Sequence, residues 1–198
     1  MAPAGGNADS QEILYGLHTV REALRAGTRP LQRMLVLRTD KQFTDVVQLA
    51  RSRRIPIHVQ PPASFDRLVP NGRHQGVVAF VSAKAYQTED SILAGAAQRH
   101  EPPLLVILDG VEDPYNLGAV LRTAEGAGVH GVFIPERRAA GLTPVVAKAS
   151  AGAIDHIPVA RVTNMSRSIE SLKAAGVWIY GVTPSASKNF TDVDLREP

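Results

Sequence analysis

The sequence predicts two α/β domains, and three observations support this fold class. Short apolar runs rich in β-branched residues alternate with segments whose apolar residues recur every three or four positions. A polar stretch that ends in Glu101-Pro-Pro103 divides the alternation into two series. Hydrophobic residues make up 44% of the 198 residues, which is enough for packed cores. We expect a flexible tail over 1–12, a first domain over 13–84, a linker over 85–102 and a second domain over 103–198.

The first series predicts a small three-layered α/β domain. A helix is expected from Tyr15 to Ala26, because its apolar residues recur at helical spacing before Gly27. The other expected elements are a strand at 34–37, a helix at 43–50 with Asp40 as a possible cap, a strand at 55–59, a short helix after Pro61-Pro62 and a strand at 76–82.

The second series predicts a parallel sheet that is covered by helices on both faces. The expected order is strand 104–108, helix 117–127, strand 131–134, helix 144–150, strand 154–158, helix 165–175 and strand 177–182, and a weak helical stretch at 91–97 precedes it. Ligands of such sheets bind beyond the carboxyl ends of the strands. We therefore expect the chemistry at the loops near Asp109, Pro135 and Thr183.

The composition excludes several classes of site. The absence of cysteine excludes disulfides, thiolate metal sites and thiol nucleophiles, and suits a cytoplasmic location. No two of the six His residues have the spacing of metal ligands on a helix, so no metal site is predicted. The sequence also lacks the run of about 18 apolar residues that a membrane span needs.

Charge is distributed unevenly along the chain. Residues 1–84 hold 12 Lys and Arg against 6 Asp and Glu, a net charge of +6, whereas residues 85–198 hold 10 against 13, a net charge of −3. Most cations of the first domain are Arg, whose planar guanidinium suits phosphate. This predicts a polyanion partner for the first domain, and the alternative is a solvated basic surface without a partner.

The stretch from Leu108 to Gly128 is the most informative for chemistry. A predicted strand runs through a loop into a helix that Asn116 can cap, and Gly118 allows a ligand or another backbone to come close. Arg122 follows six residues after Asn116, so a tight first turn would bring both side chains near the strand ends. Capping and a surface arginine are the alternative explanation.

The motif Asp113-Pro-x-Asn-x-Gly118, followed by Arg122-Thr-Ala124 and Gly128, resembles the first signature motif of the SpoU/TrmH superfamily of RNA ribose 2'-O-methyltransferases. Further segments match the family along the rest of the chain. In the second domain they are Lys148-Ala-Ser-Ala-Gly152, His156-Ile-Pro158 and Trp178-Ile-Tyr-Gly181, and in the first domain they are Tyr15-Gly-Leu-His-Thr-Val20 and His74-Gln-Gly76. The two first-domain segments are similar to the recognition domain of enzymes that methylate a guanosine ribose in large-subunit ribosomal RNA.

The resemblance implies that a ribose 2'-hydroxyl attacks the methyl group of S-adenosylmethionine without a metal. Arg122 would be catalytic, as a base or as a cation that stabilises the alkoxide, and Asn116 would orient the ribose or its phosphate. Thr183 matches a cofactor-contacting position, and a simple turn residue before Pro184 is the alternative. The implied RNA-binding residues are Tyr15, His18, Arg21, His74, Gln75 and Gly76.

The resemblance further implies an RNA substrate-binding domain over 13–84, a methyltransferase domain of the trefoil-knot class over 103–198, and a homodimer. The family places a Gly-x-Glu-x-x-Gly loop and a Ser-Leu-Asn segment after the last predicted strand, and this sequence contains neither. We therefore expect truncation before the knot, the remaining cofactor residues beyond Pro198, and no activity from this chain alone. The homodimer is an open question for this chain, and the alternative to an enzyme is a noncatalytic RNA-binding module.

Overall fold

The computed structural model describes residues 11–70 and 72–193, which form two β-sheets flanked by helices. The elements of the first part are β1 (Gln11–Tyr15), α1 (Leu17–Ala26), β2 (Leu31–Val36), α2 (Thr44–Ser52), β3 (Ile57–Val59), α3 (Pro62–Leu68) and β4 (Val77–Ser82). Those of the second part are α4 (Glu89–Gln98), β5 (Leu105–Ile107), α5 (Pro114–Gly126), β6 (Gly131–Pro135), α6 (Pro144–Ala149), β7 (Val159–Val162) and α7 (Met165–Ala174). Short 3₁₀-helices occupy Ala153–Asp155 and Phe190–Asp192.

The first sheet has the strand order β1-β4-β2-β3 and confirms the three-layered prediction. Strands β1 and β2 run antiparallel to β4, and β3 runs parallel to β2. Because side chains alternate along each strand, Met34 and Val36 of β2 pack with α1 and α2, whereas Leu35 packs with Phe65 of α3 on the other face.

The second sheet is parallel, in the order β5-β6-β7, and has helices on both faces as predicted. Val132 and Ile134 of β6 pack on the face of α5 and α6, and Phe133 packs between Ile92 of α4 and Leu172 of α7. Helix α4 lies in the stretch expected to be a linker. A bridge between Gln87 and Ala160 also ties this stretch to β7.

The amino-terminal strand β1 was not predicted. Gln11 and Glu12, which were assigned to the tail, begin this strand, and the helix expected from Tyr15 begins at Leu17. The strand forms because β4 supplies a partner for every residue from Gln11 to Tyr15, and a polar start gives no local sign of that pairing. The expectation for residues 1–10 lies outside the described residues.

Two strand predictions in the second part are wrong. The segment 154–158 contains the end of a 3₁₀-helix, and the strand follows it at Val159. The prediction failed because the buried residues Ile154 and Ile157 have an apolar spacing that does not distinguish a 3₁₀-helix from a strand. The segment 177–182 is not a strand. Val177 packs in the core while Trp178 is 62% exposed, so the alternation of a strand is present, but no described strand pairs with it.

The two parts share one apolar core. A single cluster of buried residues runs from Leu14 and Val20 of the first part to Leu117 and Ile154 of the second. Residues of helix α1 and strand β1 therefore pack in the same cluster as residues of the second part. Among the described helices, none is long and apolar enough to cross a membrane.

Candidate active site

Asp113 caps helix α5 at the carboxyl end of β5. Its carboxylate accepts a hydrogen bond from the Tyr115 amide at 2.7 Å, and Pro114 occupies the first helical turn. The helix therefore begins three residues before the predicted Leu117, and the capping role predicted for Asn116 is wrong. The Asp-Pro pair was a sequence signal for this start, because proline is favoured directly after a capping residue.

Asn116 and Arg122 both lie on exposed positions of α5, whose buried side carries Leu117, Gly118 and Leu121. Because Asn116 is inside the helix, the tight first turn that would bring the two side chains together is absent. A separation of six residues corresponds to about 9 Å along the axis and about 120° around it. Within the described part of the chain neither side chain has a hydrogen-bond or ion-pair partner, so both are free to contact a ligand.

Thr183 lies in an exposed turn beyond α7. Its hydroxyl oxygen is 3.2 Å from that of Ser185, and its carbonyl accepts a hydrogen bond from the Ala186 amide at 3.1 Å. These contacts fit the alternative explanation of a turn residue before Pro184. No described contact connects Thr183 with Asn116 or Arg122.

The loops that follow β5 and β6 are fixed against each other. The Ala140 amide donates to the Val111 carbonyl at 2.8 Å, and the Leu142 amide donates to the Tyr86 hydroxyl at 3.2 Å. Thr143 then caps α6 by accepting a hydrogen bond from the Val146 amide. The predicted ligand-binding edge of the sheet is therefore built from two loops with defined positions.

Helices α5 and α6 touch at Gly118. A β-carbon at this position would lie 2.5 Å from the β-carbon of Ala149, a distance that real β-carbons do not reach, and 3.0 Å from the backbone of Ala149 and of Ser150. The close approach predicted for Gly118 is thus confirmed, with a second backbone as the neighbour. The contact fixes α6 against the helix that carries Asn116 and Arg122.

Gly118→Ala is expected to lower the free energy of unfolding by about 1–3 kcal/mol, because the added methyl group forces two backbones apart. Gly126→Ala in the same helix is the matched control. Nothing lies within 4 Å of a β-carbon there, so alanine should raise stability by about 0.5–1 kcal/mol through its better helix propensity. Urea denaturation measures both changes, and equal effects would show that the helix crossing is not tight.

The structure brings four predicted RNA-binding residues together between the end of β1 and the start of β4. The Gln75 side-chain oxygen accepts a hydrogen bond from the Leu17 amide at 3.1 Å, which caps α1 from outside the helix. The His74 ring accepts a hydrogen bond from the Gly76 amide at 3.0 Å and stacks on Phe65. Tyr15, the last residue of β1, lies at the edge of the same region.

The other two predicted RNA-binding residues lie further along α1. His18 is exposed, and its Nδ1 atom is 3.3 Å from Arg21. Arg21 forms an ion pair with Asp45 of α2, with only 18% of its side chain exposed. Burial raises the pKa of Asp45, but the hydrogen bonds from Arg21 and the Val46 amide outweigh it, so the pKa lies below its ordinary value. Arg21 therefore joins two helices rather than standing free for phosphate.

Lys148 is a residue that the sequence did not single out as part of a site. It projects from the last turn of α6 to the first part, where its ammonium donates to the Arg73 carbonyl at 3.2 Å and lies 5.4 Å from the centre of the Tyr15 ring. Burial, and secondarily the charge of Arg73, lower the pKa of Lys148. The one feature of the sequence that pointed to Lys148 is its position in the segment Lys148–Gly152, which resembles the family.

The described residues fit a cofactor only in part. Asn116, Arg122 and Thr183 are all exposed, so they supply open surface rather than an enclosed cavity, whereas small-ligand sites bury about 70–90% of the ligand. Two surface grooves of about 460 and 360 Å³ lie elsewhere, beside Arg29 and between β5 and α5. Within residues 11–70 and 72–193, no three His, Asp or Glu side chains gather as metal ligands.

Comparisons with known proteins agree with the motifs. Residues 103–198 match the SpoU rRNA methylase family, and residues 13–87 match the substrate-binding family of RNA 2'-O ribose methyltransferases. The Bacillus subtilis strain 168 protein named "Putative TrmH family tRNA/rRNA methyltransferase YacO" is 42% identical over 192 residues, which cover 96% of this chain and 77% of that protein. The chain belongs to the SpoU/TrmH family of RNA methyltransferases, as the signature motif predicted.

Solved structures support the same fold. The SpoU methyltransferase AviRb from Streptomyces viridochromogenes, in complex with the cofactor AdoMet, has a TM-score of 0.64 and 24% identity over 84% of this chain. An RNA 2'-O ribose methyltransferase has a TM-score of 0.69 and 21% identity over 95% of this chain. The chain spans 59% of the AviRb chain and 69% of the second structure, so it corresponds to a part of each.

Proposed function

We propose that this chain serves the transfer of a methyl group from S-adenosylmethionine to a ribose 2'-hydroxyl of RNA. The observation that carries the proposal is the position of Asn116 and Arg122. Both are exposed and without partners on the helix that follows β5, at the ligand-binding edge of a parallel sheet, in a member of an RNA methyltransferase family. The match of residues 13–87 to a 2'-O ribose methyltransferase substrate-binding family supports the ribose as acceptor.

Arg122 acts on the charge that develops on the ribose oxygen. A guanidinium carries only hydrogen-bond donors, so it suits stabilisation of the alkoxide better than removal of a proton. Side chains of a helix lean toward its amino-terminal end, and this direction carries the guanidinium along the helix toward the end that follows β5. The Asn116 amide offers both a donor and an acceptor for orienting the ribose or its phosphate.

The cofactor, when bound, supplies a methyl group on a positively charged sulfur. Thr183 would contact it through the exposed turn, and the remaining contacts would come from residues after Pro198, in keeping with the motifs of the family. A guanosine of large-subunit ribosomal RNA is the proposed acceptor, because the first part carries the family-like segments at Tyr15 and His74. A family-type homodimer in the cytoplasm completes the proposal.

Isothermal titration with S-adenosylmethionine tests the cofactor proposal on two polypeptides. The 198-residue chain is expected to show no micromolar binding, because its candidate site residues are exposed and enclose no ligand. The extended chain, made by joining the carboxyl-terminal segment of the Bacillus subtilis relative to this chain, is expected to bind at micromolar concentration. Micromolar binding by the 198 residues alone would contradict the conclusion that their site is too open to hold the cofactor. No binding by the extended chain would contradict the proposal that S-adenosylmethionine is the cofactor.

A noncatalytic role in RNA binding is the second candidate for the 198-residue chain alone. The cations and rings gathered around Gln75 favour it, because they need no cofactor to contact RNA. This candidate predicts RNA binding by the chain without methyl transfer, and methyl transfer by the 198 residues would exclude it.

A further inference from the structure

Lys148 contacts the backbone of Arg73 where the two parts of the molecule meet, and the charge of Arg73 is close enough to act on its ammonium. Lys148 belongs to α6, and Arg73 belongs to the loop before β4, which lies 75 residues earlier in the chain. The Lys148 ammonium also lies over the ring of Tyr15 and directly above the backbone of Gly16, where any β-carbon would collide with it. The geometry thus holds the ammonium at one defined point.

These two cations have no compensating acid. In the described residues no carboxylate oxygen lies within 4 Å of a side-chain nitrogen of Arg73 or Lys148, whereas Arg21 is paired with Asp45 and Arg29 with Asp155. Burial of Lys148 and the neighbouring charge of Arg73 both disfavour the charged ammonium. An anion between the two side chains would offset both costs.

The loop that carries Arg73 is held in a strained but fixed conformation. Gln75 has a positive φ of 52°, in the left-handed region that residues other than glycine rarely adopt. The hydrogen bond from Leu17 to the Gln75 side chain and the bond from Gly76 to His74 hold this loop in place. Strain of this kind is kept at sites where the position of a group matters.

We propose that Arg73 and Lys148 together bind one phosphate of the RNA backbone, so that a single phosphate contacts both parts of the molecule. The inference rests on the proposed function in so far as the anion belongs to the RNA substrate. Ala149, the residue after Lys148, makes the close contact with Gly118 of α5. The bound phosphate is therefore positioned relative to the helix that carries Asn116 and Arg122, and the pair acts by positioning the substrate.

The test measures binding of a short single-stranded RNA to the 198-residue chain over a range of salt concentrations. Each phosphate contact contributes about 0.7 to the slope of log affinity against log salt for single strands. Lys148→Gln and Arg73→Gln are each expected to reduce the slope by up to that amount. The double variant is expected to reduce it by about 0.7 in total, because both cations share one phosphate.

Lys173→Gln is the matched control, since Lys173 also lies in the last turn of its helix but is exposed and paired with Glu170. Lys148→Arg keeps the positive charge, so it should show the same slope of log affinity against log salt as the wild-type chain. A purely structural role of the contact between Lys148 and Tyr15 does not predict this result. Thermal melts identify any variant whose loss of binding reflects unfolding. If Lys148→Gln unfolds, the slope of Lys148→Arg tests the phosphate site instead, and a slope below that of the wild-type chain would overturn it.

The outcomes separate this inference from the proposed function. Salt-dependent binding by the wild-type chain, with slopes for the Lys148 and Arg73 variants equal to that of Lys173→Gln, would overturn the shared phosphate site alone. A double variant that loses about twice the single-contact slope would also overturn it, since the cations would then bind separate phosphates. A wild-type chain that does not bind RNA at all would overturn the proposed RNA substrate, and this inference with it.

Discussion

Asp155→Ala is expected to lower the free energy of unfolding by about 3–5 kcal/mol, because it leaves a buried guanidinium without its partner. The Asp155 side chain is fully buried and that of Arg29 is 2% exposed. Nε of Arg29 is 2.8 Å from one Asp155 oxygen, and Nη2 donates to the other at 3.1 Å. The loss would be a large fraction of the 5–15 kcal/mol that is typical of natural proteins.

The surroundings of this pair explain the size of the effect. Lys84 donates to the Asp155 carbonyl at 3.2 Å, and burial lowers the pKa of Lys84 although the Asp155 charge raises it. Glu12 faces Arg29 at 3.4 Å, and burial raises the pKa of Glu12 although the Arg29 charge lowers it. Removal of Asp155 would therefore leave two cations, the buried Arg29 and the partly buried Lys84, with Glu12 at the longer distance of 3.4 Å as the remaining carboxylate partner of Arg29.

Urea denaturation measures the loss, and Asp40→Ala is the matched control. Asp40 pairs with Arg38 at 2.8 Å, but 45% of the Asp40 side chain is exposed, so its removal should cost less than about 1 kcal/mol. Because the pair joins the two parts and the apolar core is continuous, wild type and variants should each unfold in one transition. Equal losses for the two variants, or separate transitions for the two parts, would contradict this account.

Arg122→Ala in the extended chain is expected to reduce the rate of methyl transfer by about 10²–10³, the usual effect of removing one donor that stabilises a developing oxyanion. The affinity for S-adenosylmethionine should remain nearly unchanged, because Arg122 would act on the ribose rather than on the cofactor. Its exposed position without a partner means that alanine removes no described contact of the fold.

Single-turnover kinetics and calorimetry measure these two quantities, and Glu125→Ala is the control because Glu125 is exposed on the same helix. Arg122→Lys should retain part of the rate, since the charge is preserved without the planar donor geometry. Loss of cofactor binding together with activity would make Arg122 a structural or cofactor-binding residue instead.

The alternation of apolar runs was enough to predict two α/β parts and most of their elements. The helix expected at 165–175 is Met165–Ala174, and the strand expected at 131–134 is Gly131–Pro135. Local spacing identified these elements because each buries one regular face. It did not identify β1, which exists through its pairing with β4, or the correct position of β7 after a 3₁₀-helix.

The candidate site was predictable where it depends on one stretch of chain. The motif from Asp113 to Arg122 predicts the two candidate side chains and the close approach at Gly118, but the cap of the helix is Asp113 rather than Asn116, because Pro114 follows Asp113 in the first turn. The contacts of Lys148 with Arg73 and of Arg29 with Asp155 connect residues 75 and 126 positions apart. Spacing within a sequence contains no information about such pairs, so only the folded structure identifies them.

The position of the transferred methyl group tests the central claim most directly. RNA is incubated with the extended chain and S-adenosylmethionine that carries a labelled methyl group, and the product is then treated with alkali. A methylated 2'-oxygen cannot attack the adjacent phosphate, so the account predicts a labelled dinucleotide that resists alkaline cleavage. Label recovered on a base in an alkali-sensitive mononucleotide, or no transfer of label to the RNA, would contradict it.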